Sequence, residues 1–224
     1  MVLMNIINEQ ITRYIDDRYA PLSDELAGIR EDAENRQIPI VRKDTETMLM
    51  ALVMSIKPKR ILEIGTAVGY SASCFAAACP EAEIVTIESR DIHCEEAGEN
   101  LRKLGFADRV TVIEGDAAEV LKELPEKGEM GPFDFVFIDA AKNHYREYWD
   151  GALRLAAEDA VIVSDNVLLD GVTVSDEYLT TRRDRTSMMR MREYLEHITH
   201  IDGIYTSILP VGDGVAVSVL KGMK

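Results

Sequence analysis

Two stretches of the sequence end in side chains that can bind a metal ion. One apolar run ends at Asp139, with Lys142 three residues later, and another is followed closely by Asp165 and Asn166. If the two runs are neighbouring parallel strands, about 5 Å apart, these side chains converge at one edge of the sheet. Two carboxylates and an amide are hard oxygen ligands, which suit Mg²⁺ or Ca²⁺ rather than a structural zinc site. We therefore predict a metal site at Asp139, Asp165 and Asn166.

A hard cation at that edge has a clear chemical use. It can bind a substrate hydroxyl together with a neighbouring oxygen, lower the pKa of the hydroxyl and orient the resulting oxyanion. Lys142 is close enough in sequence to Asp139 to serve as the general base that accepts the proton. In the competing interpretation, Asp165 and Asn166 only cap the following segment and Lys142 is a solvated surface charge.

A glycine-containing turn follows an earlier apolar run. Gly65 comes directly after Ile64, and Gly69 lies four residues further along. Glycine lets the backbone bend tightly and allows a ligand close to the main chain. The spacing is not the G-x-G-x-x-G of a dinucleotide site, which disfavours pyrophosphate binding. The turn from Gly65 to Ser71 therefore predicts a ligand at the end of this strand without saying which one.

Acidic residues after the next two runs indicate a nucleoside. Glu88 follows the glycine turn by about 20 residues, where a carboxylate can accept hydrogen bonds from both ribose hydroxyls. Asp116 and Ala117 follow the third run and are well placed to hold an adenine edge. Glu63, inside the first run, could bind the amino group of a methionine moiety, so S-adenosylmethionine fits the set. The alternative is a generic Rossmann-like sheet whose acids merely cap helices.

The elements that must position these residues alternate between strand and helix. From Arg60 onwards, short and nearly continuous apolar runs are typical of strands covered on both faces. The predicted strands are Ile61–Ile64, Ile84–Ile87, Val110–Ile113, Phe133–Ile138 and Val161–Val163. The predicted helices between them are Ser71–Ala78, Ile92–Leu104, Ala117–Leu124 and Tyr145–Ala156. Such alternation predicts a parallel sheet with right-handed crossovers.

Both ends of the chain depart from this alternation. The first 56 residues have helical spacing, and Asp44 is a candidate cap for the third of their helices. A last helix is predicted at Ser187–His197, and the runs Ile204–Leu209 and Val215–Leu220 predict a hairpin at the sheet edge. We predict a single α/β domain over residues 1–224, with a helical cap (1–56) and a cofactor-binding catalytic core (57–224). Its fold is expected to be that of a Rossmann-like class I methyltransferase: a mostly parallel seven-stranded sheet with a C-terminal antiparallel hairpin and N-terminal helices.

The composition limits the classes of function. A net charge of −15 argues against a broad nucleic-acid surface, which is normally basic. The three cysteines match no zinc spacing and are typical of reduced thiols in a cytosolic protein. Neither a signal peptide nor a membrane-spanning run is predicted, so we expect a cytoplasmic protein without a membrane partner.

The combined motifs resemble the cation-dependent O-methyltransferases, the family of the catechol and caffeoyl-CoA enzymes. The resemblance is carried by residues 63–71, 137–142, 165–166 and 209–214, and it covers the chain from about 39 to 220. It implies that Asp139, Asp165 and Asn166 bind the metal and that Lys142 is the catalytic base. For the cofactor it implies contacts from Val41, Glu63, Gly65, Ser71, Glu88, Asp116, Ala117 and Asp139. Asp170 departs from the asparagine of the plant enzymes, which leaves the substrate contact open.

One bacterial subgroup is similar in further detail: the methyltransferases of 5-hydroxyuridine in tRNA. The similarity lies in residues 58–66, in 139–142 and in the run Arg182-Arg183-Asp184-Arg185-Thr186. The wobble base also presents two vicinal oxygens, and Arg182, Arg183, Arg185, Arg190 and Arg192 could form a basic patch for phosphates. The first hypothesis is therefore a tRNA acceptor. Ion pairs or a dimer contact explain the arginines equally well.

Two other hypotheses stay open. The second is a small-molecule enzyme that methylates catechols or similar vicinal diols. The third is a non-catalytic nucleotide-binding or regulatory protein built on the same sheet, which the set of Asp139, Lys142, Asp165 and Asn166 argues against. A homodimer is also expected, because apolar stripes in the first 36 residues need a covering surface, although they could instead pack on the sheet.

Overall fold

The computed structural model describes residues 9–124, 131–178 and 184–222. This part of the chain contains one seven-stranded sheet with the order β3-β2-β1-β4-β5-β7-β6. The strands are β1 (Arg60–Ile64), β2 (Glu83–Glu88), β3 (Val110–Glu114), β4 (Phe133–Ile138), β5 (Ala156–Ser164), β6 (Ile204–Leu209) and β7 (Val215–Leu220). Strands β1 to β5 pair in parallel, while β7 runs antiparallel to both β5 and β6. The predicted class, a mostly parallel Rossmann-like sheet with a terminal hairpin, is confirmed.

Eight α-helices in the described residues cover the two faces of the sheet. They are α1 (Glu9–Asp16), α2 (Asp24–Asn35), α3 (Lys43–Ile56), α4 (Tyr70–Ala78), α5 (Asp91–Lys103), α6 (Ala117–Glu123), α7 (Tyr145–Leu155) and α8 (Asp184–Ile198). Because side chains alternate along a strand, Ile61 of β1 packs in a core with α2 to α5. Its neighbour Leu62 packs in a second core with α6 to α8. Burial on both faces explains why the strands read as continuous apolar runs.

The strand β5 is longer than the sequence predicts. It begins at Ala156, where the prediction places the end of a helix, and not at Val161. The pairing of Phe133 with Ala156 and a register shift before Phe135 account for the extra length. Residues 156–160 lack the β-branched side chains that favour a strand, so the pairing partner and not local propensity decides their conformation.

The predicted capping role of Asp44 is wrong. Helix α3 begins at Lys43, with Arg42 at the N-cap and no side-chain capping bond. The Asp44 carboxylate instead accepts hydrogen bonds from the backbone N–H of Thr45 (2.9 Å) and of Gly212 (2.9 Å). Gly212 lies in the hairpin loop between β6 and β7, so Asp44 links the N-terminal helices to the end of the chain.

The N-terminal helices differ in how they bury their apolar residues. Leu26 of α2 and Leu49 of α3 are buried in the core with the sheet. Ile11, Tyr14 and Ile15 of α1 remain exposed. The apolar stripes of α2 and α3 are therefore covered within the chain. The helices of the described residues include none that is long and apolar enough to cross a membrane.

Candidate active site

The strand register brings the predicted site residues to one edge of the sheet. Ile64 of β1 is paired with Ile87 of β2 and with Ile138 of β4, and Ile138 is paired with Ser164 of β5. The residues that follow each strand therefore lie at one level. From β1 the chain goes on to β2 at one side of the sheet, whereas from β4 it goes on to β5 at the other side. The strand order therefore reverses between β1 and β4, and a crevice opens there.

A cavity of about 620 Å³ occupies this crevice. Nearly all of the predicted site residues line it. They are Val41, Gly65, Ser71, Glu88, Asp116, Ala117, Asp139, Lys142, Asp165 and Asn166. Glu63 is the exception, because its side chain is completely buried within β1.

The glycine turn is shaped by contact with the neighbouring strand end. Gly65 has a φ of +103°, and a Cβ atom there would lie 2.0 Å from the backbone oxygen of Asp139. No side chain can be accommodated at that distance, so glycine is required. The N–H of Ala67 then donates to Glu88 (2.9 Å), which holds the turn against the end of β2.

The carboxylates of Glu88 and Asp116 also bind the protein backbone. The second oxygen of Glu88 accepts hydrogen bonds from the N–H groups of Ser89 and Arg90, both at 3.0 Å. Asp116 is the N-cap of α6 and accepts from Ala118 at 2.9 Å. The capping interpretation is thus correct for Asp116. Each carboxylate oxygen has more than one acceptor site, so these bonds leave room for a ligand in the cavity.

Glu63 is a buried acid with an incomplete set of partners. Thr86 donates to its Oε2 (2.5 Å), whereas Oε1 has no hydrogen-bond partner among the described residues. Burial raises the pKa of Glu63 to about 7, against the lowering effect of the hydrogen bond from Thr86. A perturbed acid beside a cavity is a functional-site candidate.

Lys142 joins the ends of β4 and β5. Its Nζ donates to Asp139 Oδ1 (2.8 Å), to Asn166 Oδ1 (2.6 Å) and to the hydroxyl of Tyr145 (2.9 Å). Lys142 is therefore not the solvated surface charge of the alternative interpretation. The ammonium group, held by these three oxygens, carries its positive charge at the point where the sequence predicts a cation.

Asp165 is the most buried acid of this cluster. Only 1% of the residue is exposed, and its Oδ1 accepts from the N–H of Asn166 (2.7 Å). Burial, followed by the nearby carboxylate of Asp139, raises the pKa of Asp165 to about 7. The described residues contain no group of three or more His, Cys, Asp or Glu side chains that could hold a metal ion. The predicted metal site contains two carboxylates and an amide, and an amide is not among these four residue types.

Sequence reasoning missed the role of Tyr145. The sequence suggests that Tyr145, Tyr148 and Trp149 either wall the substrate pocket or form core. Tyr148 does line the cavity, while Trp149 is fully buried. The buried Tyr145 hydroxyl accepts from Lys142 and donates to the backbone oxygen of Asp165 (2.8 Å). Its spacing of three residues from Lys142 is the one signal that could have indicated this contact.

Two histidines, His93 and His144, line the cavity. The sequence indicates only His144 as lying near the site, because it follows Lys142 by two residues, whereas His93 is remote in sequence from Asp139 and Asp165. His93 reaches the cavity because α5 begins just after the end of β2, beside Glu88.

The structure accounts for part of the predicted arginine patch. Arg182 and Arg183 lie outside the described residues, and Arg185 is exposed at the start of α8. Arg190 donates to the backbone oxygen of Asn143 (2.9 Å). Arg192 donates to the backbone oxygen of Thr173 (2.7 Å) and pairs with Asp176 (2.8 Å). Arg190 and Arg192 therefore hold loops of the same chain beside the site.

The chain is similar to known proteins along most of its length. Residues 20–221 match the family model described as O-methyltransferase. A catechol O-methyltransferase of Niastella koreensis is 32% identical over 97% of this chain and 99% of its own length. A catechol O-methyltransferase of Mycobacterium tuberculosis is 37% identical over 77% of each chain.

A similar solved structure is the O-methyltransferase of Bacillus cereus in complex with S-adenosylhomocysteine. It superimposes with a TM-score of 0.81 at 28% identity and covers 95% of this chain and 97% of its own. The family match includes both the glycine turn and the cluster around Lys142. The chain therefore belongs to the O-methyltransferase family, whose members take their methyl group from S-adenosylmethionine.

Proposed function

We propose that this enzyme methylates one hydroxyl of a small molecule with two vicinal oxygens, such as a catechol, with the help of a hard divalent cation. The observation that carries the proposal is the cluster in which Lys142 Nζ binds Asp139 and Asn166 at the edge of the cofactor cavity. The catechol O-methyltransferases among its relatives support a small acceptor.

The residues that line the cavity support one orientation of the methyl donor. Glu88 is available to the ribose hydroxyls, and Asp116 with Ala117 is available to the adenine. Ser71, at the start of α4, lines the cavity and is available to the carboxylate of the methionine moiety. Glu63 Oε1 has no partner in the described protein, so it supports binding of the amino group. The sulfonium would then lie near Asp139.

The donor set around Lys142 fits a hard cation. Asp139, Asp165 and Asn166 supply only oxygen ligands. The carboxylate of Asp139 helps to raise the pKa of Asp165, and such a pair favours a positive charge between its members. A bound dication supplies Lewis acidity that lowers the pKa of a coordinated hydroxyl. The protein's own residues hold the ligand set: Tyr145 fixes the Asp165 backbone, and Asp165 fixes Asn166.

Lys142 is the proposed general base. In its neutral form, Nζ takes the proton of the acceptor hydroxyl, and the hydrogen bonds to Asp139 and Asn166 stabilise the ammonium that results. The deprotonated oxygen attacks the methyl carbon in line with the sulfur, and S-adenosylhomocysteine leaves. The acceptor's second oxygen orients the first.

A tRNA acceptor has less support than a small molecule. Four of the relatives are caffeoyl-CoA O-methyltransferases of plants, and two more are catechol enzymes. Arg190 and Arg192 bind their own chain. Phosphates would have to compete with these contacts.

Methyl transfer from labelled S-adenosylmethionine tests the proposal. Catechols, matched monohydroxyphenyl compounds and bulk tRNA are offered with Mg²⁺ and with a chelator. We expect Mg²⁺-dependent methylation of catechols and none of the monohydroxyphenyl compounds. Methylation of tRNA alone would revive the first hypothesis, and no turnover despite cofactor binding would favour a regulatory protein.

Lys142→Ala tests the base. We expect kcat to fall about 10²-fold or more, since a general base contributes about that much, while cofactor affinity stays. Lys122→Ala, which removes an exposed lysine of α6 paired with Glu119, is the matched control and should keep full activity. Retained turnover in Lys142→Ala would refute this role.

A further inference from the structure

One wall of the cofactor cavity is a segment without regular secondary structure. Residues 36–42 connect α2 to α3, and residues 39–42 line the cavity. The segment turns at Gln37, whose φ is +56°. The backbone N–H of Ile38 donates to Ala33 (2.9 Å). A segment of this kind needs side-chain contacts to fix its distance from the glycine turn, which also lines the cavity.

Arg30 supplies those contacts from α2. Its side chain is only 6% exposed, and Nη2 donates to the backbone oxygen of Val41 (2.8 Å) and to Glu46 Oε2 (2.5 Å). Its Nε donates to the hydroxyl of Tyr70 (3.1 Å). One side chain of α2 therefore reaches the connecting segment, α3 and α4 at once.

Glu46 and Tyr70 close the network. The side chain of Glu46 is only 3% exposed, and Oε2 accepts from the Tyr70 hydroxyl (2.8 Å). Tyr19 donates to the other oxygen (2.9 Å). The charge of Arg30 is thus matched by the buried carboxylate of Glu46. Burial raises the pKa of Tyr70 well above its ordinary value, so the Tyr70 hydroxyl keeps its proton and stays a donor.

Both ends of this network line the cavity. Val41 belongs to the connecting segment, and Tyr70 comes directly before Ser71 at the start of α4. A buried ion pair is seldom more stabilising than well-packed apolar residues, because desolvation offsets the attraction. Hydrogen bonds with fixed directions, however, set a distance that apolar packing does not.

We propose that Arg30 and Glu46 are positioning residues for the methyl donor. They hold the Val41 segment and the Tyr70–Ser71 corner at a fixed separation, so the cofactor enters a preformed slot and its affinity does not bear the cost of ordering the segment. The inference rests on the proposed use of this cavity for S-adenosylmethionine.

Variants of this network test the inference through cofactor affinity. Arg30→Met keeps the length of the side chain and removes its donors. Tyr70→Phe removes one hydroxyl. We expect Arg30→Met to raise the Kd for S-adenosylhomocysteine and the KM for S-adenosylmethionine about tenfold, the effect of one hydrogen bond to a charged group. The kcat at saturating cofactor should change less than about twofold. Arg146→Met, which removes a half-exposed arginine of α7 paired with Asp150, is the matched control.

A double variant separates positioning from stability. Arg30→Met leaves Glu46 buried without its partner and can fail to fold. Arg30→Met with Glu46→Met removes both charges and restores an apolar contact. We expect this double variant to unfold at a temperature near that of the wild type and still to bind S-adenosylhomocysteine about tenfold more weakly.

Two outcomes distinguish the inference from the proposed function. Full cofactor affinity in the folded double variant or in Tyr70→Phe would overturn the positioning role. Failure of the wild type to bind S-adenosylhomocysteine, measured by calorimetry, would overturn the proposed use of the cavity instead.

Discussion

The buried carboxyl group of Glu63 connects cofactor binding to the stability of the protein. Its pKa is about 7, against 4.5 for an ordinary glutamate. At about 1.4 kcal/mol per pKa unit, ionised Glu63 destabilises the cofactor-free protein by about 3 kcal/mol. A glutamine at this position has the same shape and cannot ionise. We therefore expect the Glu63→Gln variant to be more stable than the wild type at alkaline pH.

The sign of the pH dependence follows from the raised pKa. Below about pH 4.5 the group is protonated in both the folded and the unfolded state and has no effect. Between about pH 4.5 and 7 the unfolded chain ionises first, so the stability of the wild type falls relative to the variant. Above about pH 7 the full difference of about 3 kcal/mol is present. Unfolding by urea at pH 5, 6, 7 and 8, without cofactor, measures this difference.

The same substitution should weaken cofactor binding. The introduced glutamine carries no charge for the amino group of the methionine moiety, so we expect the Kd for S-adenosylhomocysteine to rise about tenfold or more. Glu83→Gln, at an exposed position on β2, is the matched control. It should change neither property. A stability difference that is equal at pH 5 and pH 8, or unchanged affinity, would refute the reasoning.

Two further predictions concern the walls of the site. Gly65→Ala places a Cβ 2.0 Å from the Asp139 backbone oxygen at a φ of +103°, so we expect loss of cofactor binding and destabilisation of about 3 kcal/mol or more. Tyr145→Phe removes the hydroxyl between Lys142 and the Asp165 backbone oxygen. We expect it to lower kcat about tenfold and to destabilise the protein by about 1–3 kcal/mol. Calorimetry and steady-state kinetics measure both.

Control variants make these two predictions specific. Gly28→Ala adds a Cβ within α2 with no atom within 4 Å, so it should be neutral or slightly stabilising. Tyr205→Phe changes a tyrosine that is 71% exposed on β6 and should leave kcat unchanged. A Gly65→Ala variant that binds cofactor normally, or full kcat in Tyr145→Phe, would contradict the geometry described above.

The predicted homodimer stays a prediction. The apolar side chains Ile11, Tyr14 and Ile15 on α1 are each more than 40% exposed, and their burial between two copies would account for them. Sequence alone could not decide this, because Leu26 and Leu49 have a similar helical pattern and are buried within the chain.

Local patterns were sufficient for all strands except the start of β5, and for most of the site. Continuous apolar runs predicted β1 to β4 to within about two residues, because strands covered on both faces exclude polar residues. The residues after each strand were predictable as a site, since parallel strands bring their carboxyl ends to one edge. Lys142 contacts both Asp139 and Asn166 for that reason.

Contacts between remote segments required the tertiary structure. Three of the partners of Arg30 are 11, 16 and 40 residues away in sequence, and Asp44 binds a backbone N–H 168 residues away. No periodicity encodes such pairs, because each depends on how complete helices pack on the sheet. The raised pKa of Glu63 likewise comes from burial and not from its neighbours in sequence. The sequence alone therefore determined which elements form and which polar residues end them, whereas packing alone decided which of those residues are buried and with which partners.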